Sequence, residues 1–346
     1  MKYNELGRTG IKVSRMCLGT MTFGEQNTPE DAFRQLDLAV DLGVNFLDTA
    51  EAYSFPSRRE TQGSSEEIIG NWLHARGNRD KIVIATKITG PSEQRSHIRS
   101  GELKYTHKQV SEAVDLSLKR LKTDFIDLYQ THWPDRKSNY FGKLGYTHSE
   151  EDNFKPLEEQ LEALSEQVKA GKIRAIGVSN ETAWGLMKFL GIAERTGLSR
   201  VATIQNPFNL ICRQFEVGLA EVAIRENVGL LAYSPLAFGA LTGKYLNGHL
   251  PDNSRHKMFP QFIRYFKPSG IKATGSYCAL AQKHGIKASQ MALAFVNSQP
   301  FLTANIIGAT TEEQLKSNLQ SENMVLSDAI IKEIEAIHIE NSNPSP

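Results

Sequence analysis

The chain is poor in several features, and each shortage argues against a class of protein. It has three cysteines in 346 residues, Cys17, Cys212 and Cys278, scattered and without a CxxC pair. That suggests neither a disulfide framework nor a cysteine zinc site. Neither sign of charge dominates: 40 Lys and Arg against 39 Asp and Glu give a formal net charge of +1. Without a long run of one sign, no dedicated nucleic-acid or anionic-membrane surface is expected. No stretch approaches the roughly 18 apolar residues of a membrane span. The opening MKYNELGRTGIKVSRMCLG lacks the apolar core of a signal peptide. A cytoplasmic, reducing setting is therefore expected. Familiar nucleotide and hydrolase signatures are missing too. Leu18 to Gly24 does not have GxGxxG spacing, and Gly239 to Lys244 is one spacer short of a P-loop. There is no HExxH and no GxSxG, and no metal is expected.

What remains is an ordinary globular composition, 40% hydrophobic and 23% charged, on a chain long enough for one large barrel or two smaller domains. Tyr3 to Val13 reads as a hairpin around Gly7-Arg8-Thr9-Gly10. A strand–helix alternation follows. Short β-prone runs stand at Arg15–Leu18, Val44–Leu47, Ile82–Thr86, Phe125–Tyr129, Ala175–Val178, Val201–Ile204, Gly229–Tyr233 and Asn305–Ile307. Eight such runs suit an α/β fold of the (β/α)8 TIM-barrel type, with an N-terminal β-hairpin, as a single domain over residues 1–346. Thr28-Pro29-Glu30-Asp31 predicts a helix start with Pro at N1, and Gly43 its end. Ser64-Ser65-Glu66-Glu67 and Thr106-His107-Lys108-Gln109 read as capping boxes, and Thr311 to Gln314 opens a late helix. Three connections, Ser54–Gly63, Pro134–Pro156 and Lys244–Gly270, exceed simple turns. Each follows a strand, so each is expected on the C-terminal face, where loops carry function. The tail Asn341–Pro346 is expected to fray.

Four polar residues follow the second, third and fourth of these runs. Asp48 and Tyr53 follow Val44–Leu47, Lys87 follows Lys81–Thr86, and His132 follows Phe125–Tyr129. Ligands bind and chemistry occurs at such strand ends in parallel α/β folds. Each residue alone has a bland reading: a helix cap, a packed tyrosine, a solvated strand-end lysine, a structural histidine. Together they supply a carboxylate, a phenol, an ammonium and an imidazole, the set a metal-free carbonyl reduction needs. A free tyrosine titrates near pH ~10. An ammonium about 4 Å away, at an effective dielectric of about 20, would favour the phenolate by about 4 kcal/mol. Lys87 is thus expected to make Tyr53 a stronger acid, Asp48 to hold Lys87, and His132 to orient a carbonyl oxygen.

With these residues in place the chain resembles the aldo-keto reductases. Asn45 to Tyr53, Ala85-Thr86-Lys87 and Gln130-Thr131-His132-Trp133 match that family's tetrad in order and setting. Gly177-Val178-Ser179-Asn180 and Tyr233-Ser234-Pro235-Leu236 match its cofactor signatures. Met21 to Asn27, Phe141 to Tyr146 and Leu241 to Gly248 look most like the family's bacterial Tas-type branch. The chain is also similar, more distantly, to potassium-channel β subunits.

The resemblance implies NADP(H) as cofactor. Ser179, Asn180 and Gln205 would bind the nicotinamide carboxamide, Tyr233 would stack on the ring, and Ser234 and Leu236 belong to the same signature. Lys244 and Arg255 match phosphate-gripping positions in the channel-β relatives. Gly308 and Thr310 would form the opposite wall, with Gln314 and Asn318 at the adenosine end. Gly308 and Gln314 stand where the aldose-reductase branch has Lys and Arg, so other basic residues must bind a 2′-phosphate, or bind it less tightly. Phe23 and Trp133 would rim a pocket for a small-molecule carbonyl substrate. Arg58 and Arg59 could attract an anionic group, although a solvated loop explains them better. The rival reading is an NADPH-binding redox sensor with slow residual reductase activity, acting on a partner. A barrel hydrolase or isomerase lacks an evident carboxylate pair or metal cluster.

Overall fold

The structure is a computed structural model and describes residues 1–150 and 152–346. Residue 151, within the expected long loop Pro134–Pro156, lies outside the described residues. The hairpin pairs β1 (Tyr3–Glu5) with β2 (Lys12–Ser14), Asn4 opposite Val13. The next eight strands are β3 (Met16–Gly19), β4 (Phe46–Asp48), β5 (Val83–Ile88), β6 (Ile126–Thr131), β7 (Ile173–Ser179), β8 (Val201–Pro207), β9 (Gly229–Tyr233) and β10 (Leu302–Ile307). They pair in parallel in chain order, and β10 returns to β3 to close the barrel. The fold is the expected (β/α)8 barrel. All eight expected strands are present; most are extended or shifted by one to three residues at an end.

Inside the barrel the strand period of two decides what faces what. Cys17, Phe46, Val83, Ala85, Leu128, Ala175, Ala202, Leu231, Ala304 and Ile306 form an interior cluster, which Leu6, Ile11 and Val13 of the hairpin segment join. The hairpin therefore closes the N-terminal end. Continuing by twos toward the other end, Phe46 leads to Asp48 and Ala85 to Lys87. Leu128 leads to Gln130 and His132, and Leu231 to Tyr233. The same inward rows are apolar low in the barrel and polar at its mouth. A second, larger cluster fills the space between strands and helices.

Five helices matter below: α1 (Pro29–Asp41), α2 (Ser64–Arg76), α3 (His107–Leu121), α4 (Leu157–Lys169) and α5 (Ala183–Thr196). Thr28 and Asp31 cap α1 reciprocally. The Thr106 hydroxyl accepts from Gln109 N at the start of α3, and Thr311 does the same for Gln314 N. The expected box at Ser64 is absent. Gly63 is the N-cap, left-handed at φ 85°, and no side chain caps the helix. Its N–H donates instead to the Tyr53 carbonyl at 2.6 Å, tying α2 to the segment that carries Tyr53. The frayed tail is also a wrong expectation. Pro344, Ser345 and Pro346 are buried. Ser345 N donates to the Ile211 carbonyl at 3.1 Å, and the Pro344 and Pro346 carbonyls accept from Ser269 Oγ and Arg264 Nε, both at 2.9 Å. Among the described residues no helix is long and apolar enough to cross a membrane.

Two glycines of the outer layer separate packing from propensity. A Cβ on Gly70 in α2 would overlap the Arg120 carbonyl oxygen and lie 2.7 Å from the Leu121 carbonyl carbon. A Cβ on Gly191 in α5 meets nothing within 4 Å. Gly70→Ala should destabilise the fold by about 1–3 kcal/mol through overpacking. Gly191→Ala should stabilise it by about 0.5–1 kcal/mol through backbone entropy. Denaturant unfolding of the two variants checks both signs.

Candidate active site

Lys87 is the pivot of the barrel mouth. Its side chain is fully buried on β5, and its ammonium donates to Asp48 Oδ2 and to the Thr49 carbonyl, both at 2.7 Å. Burial pushes the ammonium down, but the Asp48 carboxylate and the Tyr53 phenol outweigh it and raise the net value. Asp48 Oδ1 accepts from Gln205 Nε2 at 2.8 Å, and that nitrogen also reaches Gln130 Oε1 at 3.3 Å. A belt of polar side chains thus runs from β4 and β5 to β6 and β8.

Tyr53 lies over this pair, with the Lys87 Nζ 4.9 Å from its ring centroid. The expectation that Lys87 dominates its acidity is not met. Burial raises the phenol, the charge of Lys87 pulls it back, and the net direction is upward. The His132 ring meets the Tyr53 ring edge-on, with centroids 5.7 Å apart. Burial first, then the charges of Lys87 and Arg95, hold its imidazole well below the usual histidine value. Its Nδ1 is buried without a partner. A proton on Nε2 leaves Nδ1 an unpaired acceptor rather than an unpaired N–H. The four strand-end residues are therefore brought to one point.

The segment holding Tyr53 has a support that the sequence reading missed. Glu51, nearly fully buried, pairs with Arg99, Nη2 to Oε1 at 3.1 Å. Arg99 further donates to the Thr89 carbonyl at 2.9 Å, the Glu102 carbonyl at 3.0 Å and Gln109 Oε1 at 2.5 Å. Its φ is +42°. These bonds lock residues 89–106, between β5 and α3, against the Asp48–Tyr53 segment. No motif marks them, because the pair is remote in sequence.

The expected carboxamide residues are also adjacent. Ser179 Oγ donates to the Gln205 carbonyl at 2.8 Å, and Asn180, left-handed at φ 55°, donates from Nδ2 to the His132 carbonyl at 2.9 Å. Tyr233 donates its hydroxyl to Asn180 Oδ1 at 2.6 Å. Ser234 is left-handed at φ 55° and accepts from Asn209 Nδ2 through its carbonyl at 2.9 Å. Leu236 begins the turn 237–242 and packs on the core. At the far wall, Gln314 Oε1 accepts from Thr310 N and Oγ1, both at 3.1 Å, and Asn318 Nδ2 donates to the Gly308 carbonyl at 3.3 Å. These last two side chains shape the Gly308–Thr310 loop.

Arg255, in a short helix of the third loop, stands over the Phe238 ring at 4.5 Å and beside Met21. Burial lowers its guanidinium to about 10, and its Nε is buried without a partner. Among the described residues no carboxylate pairs with it. An unpaired buried cation fits the phosphates of a dinucleotide. Lys244 has its Nζ over the Tyr245 ring at 5.1 Å, with no carboxylate partner among the described residues. Of the two rim aromatics, Trp133 stands beside His132, the ring centroids 4.9 Å apart. Phe23 is fully buried and belongs to the outer core cluster. Arg58 is solvent-exposed and 3.7 Å from Glu25. Among the described residues no group of three or more His, Cys, Asp or Glu could hold a metal ion.

A closed parallel barrel with this polar cluster at its C-terminal mouth has the architecture of a barrel enzyme. The comparisons narrow the class: residues 15–339 match the Aldo/keto reductase family. The chain is 49% identical over 346 residues to Protein tas of Escherichia coli, covering 100% of both chains. It is 32% identical to the norsolorinic acid reductase of Emericella nidulans, over 94% of this chain and 78% of that one. It is 29% identical to a probable voltage-gated potassium channel subunit beta of Arabidopsis thaliana, over 97% and 96% of the two chains. The chain belongs to the aldo/keto reductase family and is an oxidoreductase of the kind that uses a nicotinamide cofactor on small carbonyl compounds.

The lowered basicity of His132 has a direct readout. The imidazole should remain neutral from about pH 8 down past the ordinary histidine pKa of ~6.5. In a histidine-resolved NMR titration, its ring signals should stay flat across that range. A His132 step near pH ~6.5 would contradict the buried, cation-flanked site.

Proposed function

We propose that the protein is an NADP(H)-dependent, cytoplasmic reductase of aldehyde or ketone carbonyls, built as one domain. The observation that supports this best is the contact set of Lys87 with Asp48 and Thr49 beneath Tyr53, with His132 at its edge. The reduced nicotinamide would supply a hydride to the carbonyl carbon. The chain's own residues then have three tasks.

His132, neutral, donates from Nε2 to the carbonyl oxygen and fixes its direction. Tyr53 delivers its proton to the same oxygen as negative charge develops there. Its raised pKa keeps it protonated at neutral pH, and an alkoxide is a much stronger base than a phenolate, so transfer still runs downhill. Lys87 stabilises the phenolate left behind, while Asp48 and the Thr49 carbonyl keep that ammonium charged and in place. Aldehyde, NADPH and one proton become alcohol and NADP⁺, and solvent finally returns a proton to Tyr53. Ser179, Asn180 and Gln205 supply neutral donors and acceptors for the carboxamide, and Tyr233 lies beside them for the ring. Asn180 would exchange its Tyr233 contact for the ligand.

Arg255 would hold the cofactor's pyrophosphate, since it stands beside Met21 and Phe238 with its Nε buried and unpaired. Lys244 would hold the 2′-phosphate. Arg255→Met should then weaken NADPH and NADH alike, by about tenfold or more for a charge-assisted contact. Lys244→Met should weaken NADPH alone. Fluorescence titration of both cofactors decides; a Lys244→Met effect equal for the two would remove the basis for NADP preference.

Tyr53→Phe should lower carbonyl reduction by about a hundredfold or more, in the range of a lost general acid, with NADPH binding retained. Steady-state NADPH oxidation over a panel of aldehydes measures this. Full activity in Tyr53→Phe would sink the assignment. Tight NADPH binding without turnover by the unaltered protein would favour a redox sensor instead.

A further inference from the structure

Arg95 stands in the loop between β5 and α3, within the short turn Glu93–Arg95. Its guanidinium carbon lies 4.9 Å from the Trp133 ring centroid. Trp133 in turn stands 4.9 Å from His132 and is itself fixed. Its Nε1 donates to the Pro91 carbonyl at 3.1 Å, and its own carbonyl accepts from the Tyr105 hydroxyl at 2.6 Å. A Cβ on Gly90 would come within 2.6 Å of that indole nitrogen, so the platform has no slack. Arg95 thus sits one aromatic ring away from His132.

Its hydrogen bonding is poor for so enclosed a group. Nη1 makes one long contact, 3.4 Å, to Ser92 Oγ, and Nε is buried with no partner. No carboxylate pairs with it among the described residues. Its electrostatic neighbours are the phenols of Tyr53 and Tyr140, and burial depresses it. Stacking on Trp133 accounts for where the side chain lies, but not for the buried Nε donor left without a partner. A guanidinium has five N–H donors in a planar fork that fits a carboxylate two bonds at a time. Leaving the Nε–H edge of that fork buried without a partner is costly unless a ligand completes it.

We propose that Arg95 is a substrate-recognition residue that binds a carboxylate, so that the preferred substrates are aldehydes or ketones that also carry one. The proposal rests on the reductase reading above. One unpaired guanidinium with no second cation bonded beside it balances a monoanion better than a phosphate dianion. The reacting carbonyl would lie against His132 and Tyr53, with the carboxylate beyond the Trp133 ring.

The test compares para-carboxybenzaldehyde with its neutral counterpart, methyl para-formylbenzoate, in the unaltered protein, Arg95→Met and Arg95→Lys. The readout is the ratio of kcat/KM for the acid to that for the ester, in which any general loss of activity cancels. The ratio should be about tenfold or more in favour of the acid. It should fall to about one in Arg95→Met and be intermediate in Arg95→Lys. A ratio near one in the unaltered protein, or a ratio that survives Arg95→Met, overturns the proposal. If the unaltered protein reduces neither aldehyde, the reductase reading fails. Benzoate binding followed by tryptophan fluorescence then decides the anion site alone. Saturable binding weakened about tenfold in Arg95→Met supports the site, and binding that is absent or equal in both overturns it.

Discussion

The mouth of the barrel is organised by a buried lysine that cannot be left alone. An ammonium taken out of water costs several kcal/mol unless its charge and its protons are all met. Lys87 meets two of its demands at 2.7 Å, on Asp48 and on the Thr49 carbonyl. Asp48 then needs a donor for its other oxygen and takes it from Gln205, which is also bonded to Gln130. One buried charge thereby fixes side chains from four strands. Its remaining field acts on the two titratable groups left at the surface of that belt. It pulls the Tyr53 phenol down against burial and pushes the His132 imidazole further down with burial. The same charge moves one group toward acidity and keeps the other neutral.

How this cluster forms follows from strand parity. Small and apolar side chains fill the inward rows near the hairpin, and the same rows turn polar two residues later. The apolar residues make each run legible as a strand, and the polar residue at its end breaks the pattern where the strand meets the mouth. Asp48, Lys87 and His132 were readable for that reason. So was the barrel, because eight similar runs leave few topologies. The Ser179-Asn180 turn after β7 and the Ser234-Pro235-Leu236 turn after β9 were readable through family likeness; parity alone does not assign them a ligand.

What was illegible lies where partners are distant in sequence. Glu51 and Arg99 are 48 residues apart, and neither has a local signature. Ser64 has the composition of a capping box, but Gly63 enters the helix left-handed because its N–H is committed to the Tyr53 carbonyl. Pro344 to Pro346 have the composition of a loose tail, and are held by Ile211, Arg264 and Ser269. In each case a tertiary contact overrides a local preference, and no window of sequence contains both partners.

The charges of the site do not cancel, and their imbalance has a direction. Lys87 is balanced by Asp48, and His132 is neutral. Arg264 is bonded to Pro346 and the Tyr233 hydroxyl, and two further guanidiniums are left over, Arg95 on the loop after β5 and Arg255 on the loop after β9. Those strands stand four apart in a ring of eight, on opposite sides of the barrel. Both cations are within electrostatic reach of Tyr53. Neither has a carboxylate partner among the described residues. A chain that pairs so many of its other arginines, including Arg99 with Glu51, Arg120 with Glu66 and Arg136 with Glu181, leaves these two open. The arrangement calls for an anion on each side of the reacting centre. In the proposed reading, a dinucleotide's phosphates would answer for Arg255, and a negatively charged group carried by the other reactant would answer for Arg95.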